Sequence, residues 1–208
     1  MKLKDDKLLY VRKDGYKMKK TVEFGRYLMK EGELREIEWI VLNETPDGKK
    51  LLLSKDCITA MQYEYSENNN VDPKWENCAV RLWLNGYFLN NWFTVREKEK
   101  MVPITVNTPN GMILEDKVIL LNVEEVEKYM PDEKDRRAKP TVWAKRKQNG
   151  DRIYTENGYC TWLLRDPSEM FDGNWTGVAP DGKLDLYGGD FYLSGLHGIR
   201  PVIMISDK

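Results

Sequence analysis

The residues that most readily suggest chemistry in this 208-residue chain stand in the stretch GLHGIRPVIMI, at residues 195–205. It holds His197, the only histidine, and Arg200, which comes directly before a proline. An imidazole needs a nucleophile beside it to act as a general base, and no Gly-x-Ser-x-Gly elbow precedes this one. We therefore assign no catalytic residue. We expect His197 to lie in a loop, and residues 199–205 to form one closing core strand whose pairing Pro201 limits at its start.

Two arginines stand beside apolar segments, Arg165 in TWLLRDP and Arg200 in GIRPVIMI. A buried guanidinium is very costly without partners, so each is expected to pair with a carboxylate or with backbone carbonyls. Glu23, Glu38 and Asp166 are the candidate partners for these structural ion pairs. The alternative is that both arginines form an anion site for a carboxylate or phosphate, which would suit an enzyme.

Metal chemistry has little support in the sequence. The three cysteines, Cys57, Cys78 and Cys160, stand far apart and form no Cys-x-x-Cys pair. This spacing predicts buried thiols rather than metal ligands. We expect no metal and no cofactor.

Composition excludes several classes of partner. Lys and Arg number 33 against 34 Asp and Glu, so the chain lacks the basic excess of a general nucleic-acid binder. No window approaches 18 apolar residues, and the first twenty residues contain no apolar signal region. We expect neither nucleic acid nor membrane as a partner, and a cytoplasmic location.

The segment from 174 to 197 has the composition of a recognition surface. Rigid aromatic side chains alternate there with short polar and charged ones. The alternative is that these aromatic side chains only cover a sheet. The predicted ligand-binding residues are Trp175, Lys183, Asp185, Tyr187, Asp190, Tyr192 and His197.

Hydrophobic periodicity predicts strands in the first part of the chain and helices after them. Apolar runs at 37–42 and 51–53, joined by the turn residues Pro-Asp-Gly at 46–48, predict a β-hairpin. Helical spacing of apolar residues predicts an amphipathic helix over about 77–89. An asparagine-rich surface loop is expected at 65–73.

The later part of the chain carries clear boundary signals. Capping boxes predict helices after Thr94 and after Asn122, and Pro140 predicts the first turn of another over 141–147. A strand is predicted at 117–122, and strands return from 158 onward, with a turn at Pro-Asp-Gly 180–182. These patterns predict one α+β domain over residues 22–206, with mixed antiparallel sheets and two or more short amphipathic helices, after an N-terminal arm at 1–21.

A set of ordered motifs carries a family resemblance over about residues 22–206. Their order resembles an uncharacterised domain family, a domain of unknown function common in Firmicutes and their phages. That family is distantly similar to the C-type-lectin-like fold, in the branch of the formylglycine-generating sulfatase-modifying enzymes. The motifs are FGRY, IEWIVL, WENCAVRLWLNGYFLN, EDKVILLNVEEVEKYM, AKPTVWAK, TWLLRDP, VAPDGKLDLYG and GIRPVIMI.

The resemblance implies a single C-type-lectin-like domain, a fold that hosts enzymes, sugar binders and protein binders alike. A formylglycine-generating enzyme needs two reactive cysteines near its C-terminal strands for copper, and only Cys160 lies in that half of this chain. Calcium-dependent sugar binding needs a carboxylate and amide cluster, which GNWTG and the acids Asp181, Asp185 and Asp190 match only loosely. In some phage and bacterial proteins of this fold, the C-terminal stretch is the diversified ligand-binding face.

We therefore expect a non-catalytic domain that recognises a protein or a small polar ligand through its C-terminal loop face, in the cytoplasm or attached to a virion. One alternative is an enzyme with an anion site around Arg165 and Arg200. The other is a structural or interaction module of a phage or mobile element.

Overall fold

The structure is a computed structural model that describes residues 19–28, 32–63, 74–146, 153–168, 170, 174–188 and 196–206. It is mixed α+β, with mostly antiparallel sheets and a few short helices. The strands are β1 (Thr21–Leu28), β2 (Leu34–Glu44), β3 (Lys49–Ser54), β4 (Thr59–Met61), β5 (Met101–Val102), β6 (Ile104–Asn107), β7 (Ile113–Asp116), β8 (Val118–Ile119), β9 (Thr155–Glu156), β10 (Tyr159–Cys160), β11 (Trp162–Pro167), β12 (Trp175–Val178), β13 (Leu184–Asp185), β14 (His197–Ile199) and β15 (Val202–Ser206). The helices are a 3-10 turn (Trp75–Asn77), α1 (Ala79–Trp83), a π-helical segment (Leu84–Phe88), α2 (Leu89–Asn91), α3 (Val95–Lys100), α4 (Val123–Tyr129) and α5 (Glu133–Arg136).

The first sheet has the strand order β1-β2-β3-β15-β5, with β8 also paired to β15. All of these pairs are antiparallel. The predicted hairpin is confirmed as β2 and β3, and the Thr45 N–H donates to the Lys49 carbonyl at 2.8 Å to close its turn. Gly48 has a φ of 84°, a conformation that favours glycine. The alternating pattern therefore fixes this hairpin locally.

The second sheet has the order β13-β12-β11-β14-β4, and only the β11–β14 pair in it is parallel among the described strands. The predicted turn at 180–182 joins β12 to β13, and the Gly182 N–H donates to the Ala179 carbonyl at 2.9 Å. Gly182 has a φ of 96°, and a Cβ there would lie 1.9 Å from the Glu133 carbonyl oxygen. Glycine is therefore required at this position by both conformation and space.

The prediction of one closing strand over residues 199–205 is wrong, because the chain changes sheets within it. β14 belongs to the second sheet and β15 to the first, and Arg200 and Pro201 make the crossing. Proline has no N–H to donate to a ladder, so pairing stops at this residue. The Pro201 carbonyl accepts from the Ser54 N–H at 2.9 Å, which ties the crossing to the end of β3.

Aromatic side chains fill the core between the sheets and the helices. The Trp39 indole donates to the Phe24 carbonyl at 2.7 Å, and the Trp162 indole donates to the Arg136 carbonyl at 3.0 Å. Both tryptophans are fully buried, so these bonds satisfy N–H groups that water does not reach. Phe88 lies in an aromatic cluster with Trp83, Trp92 and Phe93.

The helix predicted over 77–89 is present but interrupted. Its middle is the π-helical segment Leu84–Phe88, which contains Asn85. That amide donates to the Val118 carbonyl at 2.9 Å and accepts from the Lys117 and Val118 N–H groups. Asn85 therefore holds β8 against the helical segment.

The two predicted capping boxes are confirmed at α3 and α4. Thr94 and Glu97 bond reciprocally at the start of α3, and Asn122 and Glu125 do so at the start of α4. Each box satisfies two N–H groups that have no partner within the helix. These signals are local in sequence, and the structure follows them.

The helix predicted over 141–147 is wrong within the described residues, which form only a turn at 142–145. Pro140 forms a parallel bridge with Cys57 instead. The Cys57 N–H donates to the Lys139 carbonyl and its carbonyl accepts from the Thr141 N–H. This tertiary pairing holds the backbone extended where the sequence predicts a helix start.

The described residues include no helix long and apolar enough to cross a membrane. The predicted loop at 65–73 and the first eighteen residues of the predicted arm lie outside the described residues.

Candidate functional site

A cleft of about 330 Å³ opens between the β6–β7 hairpin and the end of β11. Three chain segments line it, residues 74–75, residues 106–110 and residues 165–167. They come from well-separated parts of the sequence and meet only in the folded chain.

Trp75 is the aromatic wall of the cleft, and its position is fixed from behind. Its indole N–H donates to Asp116 Oδ2 at 3.1 Å. Arg81 holds the same carboxylate with two bonds of 2.8 Å, from Nε to Oδ2 and from Nη2 to Oδ1. The Asp116 side chain is almost fully buried, so this ion pair is well shielded from solvent. Trp75 is only 4% exposed, so it supports the cleft from within the core and its one polar atom is already bonded.

The tip of the β6–β7 hairpin forms the opposite wall. The Thr108 N–H donates to the Met112 carbonyl and the Gly111 N–H donates to the Thr108 carbonyl, both at 2.9 Å. The Asn110 amide donates to Glu76 Oε1 at 2.7 Å, which attaches the hairpin to the segment that carries Trp75. The two walls are therefore joined outside the cleft.

Arg165 lies at the edge of the cleft, and its charge is matched. Its guanidinium donates to both carboxylate oxygens of Glu125, at 2.6 and 3.0 Å, and to the Leu120 carbonyl at 2.7 Å. Glu125 was not among the partners expected from the sequence, because it stands forty residues away and already serves as a helix cap. One glutamate thus caps α4 and anchors the end of β11.

Arg200 is only 1% exposed and binds backbone carbonyls. Nε donates to the Ser54 carbonyl at 2.8 Å and Nη1 to the Arg136 carbonyl at 3.1 Å, while the guanidinium lies 5.0 Å from the centre of the Trp162 ring. Burial lowers the pKa of Arg200. Arg200 thus has backbone carbonyls as partners, one of the two kinds expected, and among the described residues it forms no ion pair with a carboxylate.

The two arginines do not form a common anion site. Arg165 is held by Glu125 and Leu120, whereas Arg200 is held by Ser54 and Arg136. Glu38, one of the expected partners, pairs with Lys55.

Two of the predicted ligand-binding residues are not on the surface. Trp175 is 2% exposed and its ring stacks on Tyr63, with ring centres 3.5 Å apart. His197 is 6% exposed and lies in β14, opposite Met61, rather than in a loop. Its Nδ1 is 3.3 Å from the Thr161 hydroxyl oxygen. The expectation of exposure is wrong for both, because each is an inward position of the second sheet.

Other predicted residues do lie on the surface. Lys183 is exposed and pairs with Asp181 at 3.0 Å. Asp185 Oδ1 accepts from the Tyr187 and Gly188 N–H groups, at 3.1 and 2.9 Å, which shapes the turn that presents Tyr187. Tyr187 is 59% exposed. The predicted Asp190 and Tyr192 lie outside the described residues.

The exposed Tyr187 turn adjoins the cleft. The Ser168 hydroxyl donates to the Tyr187 carbonyl at 2.8 Å, one residue after the cleft residue Pro167. Pro167 in turn pairs with Trp175 across β11 and β12. Met170, which is 66% exposed, donates its N–H to the same Ser168 hydroxyl at 3.2 Å. Ser168 therefore links the Tyr187 turn to the end of β11.

Asp166 is the acidic residue that lines the cleft. Its Oδ2 accepts from the Val123 N–H at 2.9 Å, and its own carbonyl accepts from the Thr176 hydroxyl at 2.8 Å. Burial raises the pKa of this carboxyl, against the opposing effects of the Val123 bond and of Arg165. No described residue donates a hydrogen bond to Oδ1.

The structure also brings together two cysteines that the sequence separates by more than a hundred residues. Cys57 forms a bridge with Pro140 and Cys160 forms one with Ala138, and the Cys160 thiol donates to the Ala138 carbonyl at 3.6 Å. Cys160 is the only cysteine in the C-terminal half of the sequence, but the fold places Cys57 at the same segment. Burial raises the pKa of the Cys57 thiol well above its usual range, which opposes the thiolate that a soft metal needs. All three cysteines are buried and carry no disulfide.

No group of three or more His, Cys, Asp or Glu side chains is placed to hold a metal ion in the described part of the chain. Neither the cleft nor the thiol pair was found from sequence, since each depends on residues that are distant in the chain.

A family profile with the description "Domain of unknown function (DUF6273)" matches residues 47–207. This match covers most of the chain, from the β2–β3 turn to the end of β15. The chain belongs to this family. The DUF6273 match includes every segment that lines the cleft, while β1 and β2 precede it. No curated protein and no solved structure matches the chain.

Proposed function

We propose that this protein is a non-catalytic recognition domain that binds a protein segment or a small polar ligand. Its site is the cleft between the β6–β7 hairpin and the end of β11, continued by the exposed Tyr187 turn. This site differs from the C-terminal loop face expected from the sequence, because Trp175 and His197 of that face are buried. The observation that carries it is a cleft formed by three distant chain segments, in which the Arg81–Asp116 ion pair fixes Trp75 beneath the surface.

The dimensions of the cleft suit recognition of a small group. Its volume of about 330 Å³ lies at the lower end of the range typical of ligand sites, about 300–1,000 Å³. Rigid walls lower the ordering cost of binding, since the protein side need not be immobilised again. An exposed tyrosine next to such a cleft is typical of protein recognition surfaces.

Several observations weigh against the enzymatic alternative. The histidine lies inside the second sheet, and the two arginines have separate partners. A general base needs access to its substrate, which a residue at 6% exposure lacks.

We further propose that the two-sheet α+β architecture is C-type-lectin-like, as the motif order suggests, and that the protein acts in the cytoplasm of a bacterium or in a phage particle. The two main sheets and the short helices between their strands are consistent with this fold.

The proposal is tested by blocking the cleft. Asn107 is exposed on the cleft wall, and Thr105 is exposed on the same strand outside it. The wild-type protein is screened against a mixed library of small polar fragments by ligand-observed NMR, and each hit is repeated with Asn107→Trp and with Thr105→Trp. Thr105→Trp is the matched control for an added indole on β6.

We expect hits whose signals are lost with Asn107→Trp and kept with Thr105→Trp. A screen without hits, or with hits that survive Asn107→Trp, would refute a ligand site in this cleft. Circular dichroism of both variants confirms that each is folded before binding is compared.

A further inference from the structure

The hairpin of β6 and β7 is a two-stranded sheet of its own, so each of its strands has an outer edge. Among the described strands, β6 pairs only with β7. Its last residues, Val106 and Asn107, line the cleft together with the turn that follows them. An unpaired strand edge presents backbone N–H and carbonyl groups with which another chain can pair. The direction of these groups along β6 therefore bears on what the cleft can bind.

The hairpin register shows which backbone groups of β6 are unpaired. Asn107 lies opposite Ile113, and the Thr108 N–H donates to the Met112 carbonyl at 2.9 Å one pair further on. Hydrogen-bonded and non-hydrogen-bonded pairs alternate in an antiparallel ladder, so Asn107 and Ile113 form a non-hydrogen-bonded pair. The N–H and the carbonyl of Asn107 therefore point away from β7. Neither group has a hydrogen-bond partner among the described residues.

The opposite wall of the cleft, at the end of β11, also has an unpaired side. Among the described strands, β14 pairs with β11 only at its first residue, so the end of β11 has β12 as its one strand neighbour. Pro167 lies opposite Trp175, and the Ser168 N–H donates to the Asn174 carbonyl at 3.0 Å one pair further on. By the same alternation, the carbonyl of the cleft residue Pro167 points away from β12. The cleft thus separates two strand segments that each have an unpaired side.

These backbone groups fit an extended polypeptide segment. A strand laid beside β6 can exchange two hydrogen bonds with Asn107, because the N–H and the carbonyl of this residue face it together. Thr105 has the same orientation two residues earlier, and it is exposed. Pro103 and Pro109, which lack an N–H, limit this edge to a few residues. The edge lies in a cleft with the end of β11 opposite, so a single narrow strand reaches it more readily than the sheet of a second copy does.

We propose that the cleft binds an extended segment of a partner protein, which adds to β6 as a further strand and pairs with the N–H and carbonyl of Asn107. This inference rests on the proposed function, since it names the kind of partner that the same site takes. In strand addition the main-chain bonds supply affinity, and the alternate side chains of the added strand determine which sequence is preferred. The recognised chemistry is therefore an extended backbone with unpaired N–H and carbonyl groups.

The test uses a phage-displayed library of random linear octapeptides, selected on the wild-type protein. Selected peptides are synthesised with a fluorophore, and their dissociation constants are measured by fluorescence polarisation for the wild type, Asn107→Pro, Asn107→Ala and Ile113→Pro. Proline at 107 removes the outward N–H and no ladder bond, because this pair is not hydrogen-bonded. Ile113→Pro is the matched control, since it makes the same change on the other edge of the hairpin. Circular dichroism confirms that each variant is folded.

We expect Asn107→Pro to weaken peptide binding roughly tenfold or more beyond the loss with Asn107→Ala, because alanine keeps the backbone donor that proline lacks. Ile113→Pro should leave the dissociation constants unchanged, since the β7 edge does not line the cleft.

A second readout needs no variant. Backbone amide exchange of the wild type is followed by NMR with and without a saturating selected peptide. The N–H groups of Thr105 and Asn107 should exchange severalfold more slowly when the peptide is bound. The Val106 N–H, which bonds to β7 by the same alternation, should change little. This alternation along β6 is expected from an added strand and not from a ligand that only fills the cleft, and it decides the question if Asn107→Pro does not fold.

The inference and the proposed function fail in different ways. Selection of no peptide, or of peptides that the wild type and a folded Asn107→Pro bind equally, overturns strand addition. Peptide binding that Asn107→Trp blocks, without slower exchange at Thr105 and Asn107, overturns it as well and leaves the recognition cleft standing. A wild-type dimer in sedimentation that Asn107→Pro abolishes would assign this edge to a second copy and also overturn the inference. The recognition cleft itself is refuted only by the fragment screen, when Asn107→Trp blocks no hit.

Discussion

Arg165 and Arg200 stand in similar sequence surroundings, yet they differ in burial and in the partners that hold them. Arg200 is enclosed where the chain crosses between sheets, with backbone carbonyls and the Trp162 ring as its partners. Arg165 is held by the Glu125 carboxylate at the edge of an open cleft. An apolar run that ends in arginine therefore indicates that the guanidinium needs partners. It does not indicate whether that side chain is buried or lies beside an open cleft.

Removing the enclosed Arg200 side chain should have the largest effect on stability. Arg200→Ala removes the side-chain donor of the Ser54 carbonyl, leaves the Arg136 carbonyl with the Trp162 indole alone, and creates a cavity beside Trp162. We expect a loss of about 3–5 kcal/mol in the free energy of unfolding. Urea denaturation followed by fluorescence measures it. A loss below about 1 kcal/mol would mean that the crossing does not depend on this side chain.

Removing the Arg165 side chain at the cleft edge should have a smaller effect on stability, and this effect should depend on Glu125. Arg165→Ala leaves Glu125 partly buried without its partner, and we expect a loss of about 1–2 kcal/mol. A double-mutant cycle with Glu125→Gln isolates the pair, and a coupling free energy above about 0.5 kcal/mol is expected. Additive losses would show that the two side chains act independently. The cycle thus separates the ion pair from the bond of Arg165 to Leu120.

The smallest expected effect is the contribution of Asp166 to the pH dependence of the free energy of unfolding. Burial raises the pKa of Asp166 above its unfolded value, so the folded state binds a proton more readily than the unfolded chain. Stability from this group is present at low pH and is lost as the pH rises through the folded pKa. The free energy of unfolding of the wild type, relative to Asp166→Asn, should therefore increase as the pH falls from 7 toward 4. Urea denaturation at several pH values measures this difference, and a difference that is constant across the range would contradict the prediction.

Local signals in the sequence predicted the local parts of the structure. The β2–β3 hairpin and the caps at Thr94 and Asn122 depend on residues within a few positions of one another. The helix expected after Pro140 failed because Cys57, more than eighty residues earlier, holds that backbone in a bridge. A distant partner of this kind leaves no periodic signal.

The candidate site was predictable only in part, for the same reason. The surface position of Tyr187 follows from local turn chemistry, since Asp185 accepts from the N–H groups that follow it. The burial of Trp175 depends on Tyr63, which belongs to a distant part of the chain. The cleft needs three separate segments, and no single stretch of sequence contains its pattern.

The crossing at Arg200 and Pro201 also has a consequence for the order in which the chain folds. β15 pairs with β3, β5 and β8, and the bond from Arg200 to Ser54 joins residues 146 positions apart. Neither main sheet is complete until this distant segment has been placed between its neighbours. Contacts of such high sequence separation slow folding, because loop-closure entropy is lost before the contacts that compensate for it are made. We therefore expect folding on the slow side for a chain of this size, with β15 inserted late and the strands beside its place exposed until then.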